Sequence, residues 1–187
     1  MKKLIASLLL VAAIPLVGVL SGPVAAARTG ESIIVNGSFE KPSHGGTYFD
    51  GQRFGHWLVT RSSVDQVRKV WQAAEGVQCI DLSGYDAGAI SQRPDATIGQ
   101  TYTLRFALAG NTEGGPMTMR MLVRWQGTLV ADLTFDTTGH SSQNMGWTSY
   151  SFQVTATVAN PALKFISKNR GVHGPALDDV SLVPVVS

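Results

Sequence analysis

Thr101-Tyr-Thr-Leu-Arg-Phe-Ala-Leu108 alternates without a break, so that Tyr102, Leu104, Phe106 and Leu108 share one side of an extended chain. Only a strand, with its side-chain period of two, gathers those four groups on one face. Outward from it, Met117, Met119, Met121, Val123 and Trp125 make a second stripe of the same period. Gln126-Gly127 then predicts a tight turn into residues 129–135, and hence a hairpin. Tyr150, Phe152 and Val154 form another stripe, residues 162–166 another, and residues 176–183 a last strand. Towards the N-terminus, residues 32–36, 56–60, 64–70, 77–82 and 87–92 read as strands. That makes about ten short strands separated by Gly, Asn, Asp and Pro, with no strong repeat and no linker. Two sheets with alternating faces can bury each other's apolar sides, so the fold class is all-β, one sandwich. The connections of note are residues 41–53, 110–116 and 137–146.

The first residues follow a different pattern. Lys2 and Lys3 precede an apolar run from Leu4 to Leu20, Ser21-Gly-Pro23 breaks it, and Val24-Ala-Ala-Ala27 supplies small side chains for a signal peptidase. Pro15 and Gly18 interrupt the run, which is at the lower limit for spanning a bilayer. The pattern predicts a cleaved signal-peptide helix over residues 1–27 and one domain over residues 28–187. That domain is secreted, periplasmic or at the cell surface, with no integral membrane span.

The whole chain has 15 basic and 13 acidic residues, a net charge of +2. Loss of Lys2 and Lys3 leaves 13 of each, and a neutral chain lacks the basic balance of a nucleic-acid or anionic-membrane binder. Cys79 is the only cysteine, which rules out an intramolecular disulfide; inside Val77-Gln-Cys-Ile-Asp-Leu82 it reads as a small buried hydrophobe.

An ordered set of short motifs carries a resemblance. It comprises Val35-Asn-Gly-Ser-Phe-Glu40, Ser63-Val-Asp-Gln-Val67, Trp71-Gln-Ala-Ala-Glu-Gly76, Ile80-Asp-Leu-Ser-Gly84 and Gly88-Ala-Ile-Ser-Gln92. Gly99-Gln-Thr-Tyr-Thr-Leu104, Asn144-Met-Gly-Trp147 and Gly174-Pro-Ala-Leu-Asp-Asp-Val-Ser181 continue it. The set resembles the choice-of-anchor C family of bacterial surface proteins and the related plant cell-wall domain-of-unknown-function 642 family. The resemblance implies a galactose-binding-like jelly roll whose first and last strands lie side by side. Carboxylates from both chain ends would then meet, and Ca²⁺ suits such a cluster of hard oxygens. It implies a structural calcium ion held by Glu40 and Asp179, beside Asp178, with the Ser38 carbonyl and a carbonyl near Gly76. Against this stands the plainer reading that Asp178 and Asp179 cap the strand end or pair with Arg and Lys.

For a sugar ligand the candidates are aromatic rings and their polar neighbours. Trp125, before a turn, and Trp147, after residues 139–144, are expected to be exposed, because loops at the ends of a sandwich carry most ligand contacts. Trp57 and Trp71 read as core. Tyr48, Asp50, Gln52, Arg53 and His56 lie on or beside the first long loop, and Tyr85 lies between Asp81 and Asp86 in a turn. Asp81 and Asp86 themselves read as turn residues bonding their own backbone. The carbohydrate-binding set is therefore Tyr48, Asp50, Arg53, Tyr85, Trp125 and Trp147. No catalytic set emerges: the four histidines lack zinc-ligand spacing, and neither a nucleophile elbow nor a phosphate loop occurs. The sequence thus predicts a non-catalytic module for cell-wall or extracellular polysaccharide. The competing class is a structural or adhesive envelope or matrix protein with no sugar ligand.

Overall fold

The computed structural model describes residues 30–115 and 117–186, so the leader expected over residues 1–27 lies outside them. Every regular element among the described residues is a strand. They are β1 (Gly46–Phe49), β2 (Arg53–Phe54), β3 (Trp57–Arg61), β4 (Ser63–Arg68), β5 (Gln78–Asp81) and β6 (Ala89–Gln92). Then come β7 (Thr101–Gly110), β8 (Thr118–Trp125), β9 (Thr128–Asp136), β10 (Thr148–Thr155), β11 (Leu163–Ser167) and β12 (Pro175–Pro184). They form two antiparallel sheets of six, ordered β1-β4-β5-β12-β7-β10 and β2-β3-β6-β11-β8-β9. The all-β sandwich read from the alternation is the fold.

Parity does the work. Tyr102, Leu104, Phe106 and Leu108 of β7 are buried, as are Met119, Met121, Val123 and Trp125 of β8, and the two stripes close one core with Trp57, Phe39, Ile90 and Phe165. The β8–β9 hairpin turns on Gln126 (φ 52°) and Gly127 (φ 83°), with Trp125 opposite Thr128. Two central residues of positive φ give the turn whose twist matches the flanking strands. Cys79 is buried in β5, and burial pushes its thiol pKa well up, with the charges of Asp178, Asp81 and Glu40 adding to the effect.

Two expectations are corrected. Residues 32–36 form no strand. Gln92 accepts the Val35 N–H through Oε1 and donates to the Val35 carbonyl through Nε2, satisfying the groups a neighbouring strand would pair. Positive φ at Asn36 and Phe39 then bends the chain away. Residues 41–53 are not one long loop: Gly46–Phe49 pairs with β4 as an edge strand, and Arg53 begins β2.

The first described residues nevertheless run beside the last strand. Ile33 N–H donates to the Leu182 carbonyl (2.9 Å), Ser32 Oγ accepts the Leu182 N–H (3.0 Å), and a methyl built on Gly30 would lie 3.4 Å from Pro184.

Candidate functional site

The side-by-side run of the two chain ends builds a clasp. Val180 N–H donates to the Gly37 carbonyl (3.0 Å), which brings the Ser38-Phe-Glu40 turn against β12. Glu40 Oε1 accepts the N–H groups of Val77 and Gln78, both at 2.8 Å, and packs against Gly76. Asp178 Oδ2 accepts those of Ala74 (2.8 Å) and Glu75 (2.9 Å), and its Oδ1 accepts the Asp179 N–H. Two carboxylates from opposite ends of the chain thus grip one segment, residues 74–78. Burial pushes Asp178 up to about 7, although its three backbone N–H donors pull the other way. Asp179 is raised more modestly, by burial and by the charge of Glu75. The oxygens on offer here are the hard kind that suit Ca²⁺. Among the described residues, however, no group of three or more His, Cys, Asp or Glu side chains converges as a metal cluster.

A bulge in β12 between Asp178 and Ser181, with Asp179 at φ 48°, leaves Asp179 exposed beside the clasp segment. There it joins a groove on the outer face of the first sheet. Because Tyr150 opposes Phe106 on the core side, Ser149 and Ser151 point outward beside Ala107 and Arg105. Two adjoining hollows of about 490 and 430 Å³ share Ser149 and Asp179 as lining. Trp147, Asn144 and Gln72 line the first, and Arg105 lines the second. Trp147 is half-buried and donates from Nε1 to the Gln72 carbonyl at 2.8 Å, so the ring is held while part of it stays accessible. One fixed aromatic beside a guanidinium, a carboxylate, hydroxyls and amides is chemically suited to stack on a sugar ring and bond its hydroxyls.

The remaining candidates are dispersed. Trp125 is 3% exposed and donates from Nε1 to the Thr155 carbonyl (3.0 Å); the exposure expected of it is corrected. Its parity with Met119, Met121 and Val123 sets it on the core face, and nearness to a turn does not alter parity. Tyr48 is half-buried against Phe54, ring centroids 5.0 Å apart, with its hydroxyl 3.4 Å from Gln66 Oε1. Arg53 lies on another cleft, with His56 and Arg93. Asp50 is in an exposed turn, its N–H on the Ser62 carbonyl (2.7 Å). Tyr85, 69% exposed, stacks on Phe49, 47% exposed, at 5.7 Å and 22°. Tyr48, Trp125 and Trp147 therefore do not meet.

Trp57 and Trp71 are core, as expected. Asp81 Oδ1 accepts the Ser83 N–H and its Oδ2 accepts Asn111 Nδ2, and Asp86 accepts the Ala87 and Gly171 N–H groups, so both serve their turns. Burial pushes Asp81 up to about 8. Arg105, Gln72, Asn144 and Phe49 were absent from the sequence-predicted set. Only Arg105 carried a signal, as a long cation on the outward parity of an otherwise apolar strand.

Residues 32–183 match the family described as protein of unknown function, DUF642. The chain belongs to this family. Among curated proteins the DUF642 chain is similar to halomucin of Haloquadratum walsbyi, at 27% identity over 162 residues. The match covers 81% of this chain and 2% of halomucin, so the chain spans only a small fraction of that relative's length. Among solved structures, the CBM22-1 xylan-binding domain of Paenibacillus barcinonensis Xyn10C aligns with a TM-score of 0.51 at 14% identity, over 87% of this chain and 99% of that one. A family 35 module from the same organism aligns with a TM-score of 0.48 at 18% identity, over 76% of this chain and 99% of its own. At such identities the first of these shows the fold: the DUF642 chain has the jelly-roll sandwich of carbohydrate-binding modules.

Proposed function

We propose that this chain is an exported, non-catalytic carbohydrate-binding module for cell-wall or extracellular polysaccharide, of the choice-of-anchor C kind, using the groove at Trp147. The observation that carries the reading is the groove itself: two joined hollows with a held tryptophan and, beyond it, Arg105, Asp179, Asn144 and Gln72. A polymer needs such an open, elongated surface rather than a closed pocket. On a glycan array, specific binding is expected, weakened about fivefold or more by Trp147→Ala, since a ring stacked on a ligand contributes about 1 kcal/mol or more. Trp147→Ala binding with parental affinity places the ligand elsewhere. No binding across plant, bacterial and host glycans removes the reading.

The scatter of Tyr48, Trp125 and Trp147 favours the second reading, a structural or adhesive envelope or matrix protein, whose contact would centre on the exposed Phe49–Tyr85 pair. Retention on matrix protein lost in Tyr85→Ala, with an empty glycan array, supports it.

A structural Ca²⁺ belongs to the proposal as well, drawn by Glu40 and Asp179 with the Ser38 carbonyl and a carbonyl near Gly76, beside Asp178. Its support is the contact of Glu40 with Gly76 and the surplus of hard oxygen at the clasp. Bound to the native state alone, the ion would hold the clasp shut and raise the melting temperature of chelator-treated protein. A melting temperature indifferent to added Ca²⁺ removes the ion.

A further inference from the structure

One register row crosses the outer face of the second sheet. Arg53 stands opposite Leu58, Leu58 opposite Ser91, and Ser91 opposite Lys164. Lys164 in turn faces Arg124, and Arg124 faces Leu129. The flanking residues Phe54, Val59, Ile90, Phe165 and Val123 are all buried, so alternation turns the row outward. Lys164 and Arg124 are therefore like charges directly opposite on adjacent strands, an arrangement that repels. Further along β8, Arg120 is matched by Asp132 at 2.6 Å. Beside Arg53 the row meets a cleft of about 430 Å³ that Arg53, His56 and Arg93 line, against the single acid Asp95.

The strands of the first sheet have the reverse balance. Asp65, Asp81, Asp178 and Asp179 all belong to strands of the first sheet, with Arg68 and Arg105. On the second sheet the strands carry Arg53, Arg61, Arg120, Arg124 and Lys164 against Asp132 and Asp136. The strands of the second sheet thus carry a surplus of basic residues that the overall balance of 13 against 13 hides.

We propose that the outer face of the second sheet binds an anionic polysaccharide, its carboxylates held along Arg53, Arg93, Lys164 and Arg124. Guanidinium groups bond carboxylates through two parallel N–H donors, and strands about 4.8 Å apart fix the cations in a rigid array. Between them stand aliphatic Leu58, Leu122, Ile166 and Leu129, which suit the C–H faces of sugars. Single-stranded nucleic acid would call for aromatic stacking platforms, and the row offers none. This surface lies on the sheet opposite the Trp147 groove and stands whether or not that groove binds glycan.

The test is calorimetric titration of the purified protein with alginate, a polyuronate, with alginate whose carboxylates are esterified, and with single-stranded DNA. Alginate is expected to bind, more weakly as salt rises because exposed charges are screened. The esterified polymer is expected not to bind. Arg124→Gln with Lys164→Gln is expected to weaken alginate binding about tenfold or more, as charge-assisted hydrogen bonds are the stronger class. An unchanged melting temperature verifies that this surface variant is folded. Absence of alginate binding, equal binding of the ester, parental affinity in the double variant, or DNA bound as tightly as alginate would each overturn the proposal. Alginate affinity lost in Trp147→Ala and kept in the double variant would assign the anion to the groove instead.

Discussion

Gly37→Ala is expected to lower the unfolding free energy by about 3 kcal/mol, the upper end for overpacked sites. A Cβ at that position would run into the Val180 carbonyl oxygen and lie 2.9 Å from its carbon. Both atoms are backbone, so no rotamer change relieves the collision. The strand has to move, and the bond from Val180 N–H to the Gly37 carbonyl goes with it. The same shift would draw Glu40 and Asp178 off residues 74–78, leaving N–H groups of that segment without their acceptors. For a domain of this size the loss corresponds to a fall in melting temperature of about 10 °C. A thermal melt superimposable on the parent's would show that the clasp is pliable and that the chain ends are not tightly joined.

Trp57→Ala is expected to cost about 4 kcal/mol, in the range for deleting a large buried aromatic. Its side chain is 0% exposed, packs on Phe39 at 5.4 Å and Phe165 at 6.1 Å between ring centroids, and donates from Nε1 to the Asn36 carbonyl at 2.9 Å. The alanine therefore opens a cavity that the Phe39 and Phe165 rings line and leaves that carbonyl without a donor. Trp57→Phe keeps most of the packing, so the remaining loss of about 1–2 kcal/mol reports the hydrogen bond. Urea unfolding of the two variants separates these contributions. Equal losses would mean that the bond, not the volume, holds this end of the core. Trp147→Ala in the same assay is expected to change stability little, because its ring is only half-buried at the groove.

Strand parity was legible from the sequence wherever a stripe was long. β7, β8 and β10 follow from alternation, because each needs only a face to bury. It failed where a side chain substitutes for a strand: nothing local to residues 32–36 announces that Gln92, 57 positions from Val35, takes up its backbone groups. Trp125 shows two readings in competition, its parity pointing inward and its neighbouring turn outward, and the core won because that face of the sheet runs to the end of the strand. The groove was half legible. Trp147 could be named, but Arg105, Gln72 and Asn144 come together only through the pairing of β7 with β10 and the path of residues 72–74. Charge was the least legible of all. Composition adds charges regardless of position, whereas register allots them to faces, and only register shows Lys164 beside Arg124.

The run of residues 30–33 beside residues 182–184 has a mechanical meaning. Were the domain joined to further chain at both ends, tension along that chain would pass through this point and not through the body of the sandwich. Pulled from there, the bonds joining Ile33 and Ser32 to Leu182, and then Gly37 to Val180, are loaded one after another, in peeling rather than in shear. A domain attached in this way hangs from its backbone like a pendant. Under such a load it would yield first where Ser32 and Ile33 meet Leu182, and only then at the clasp.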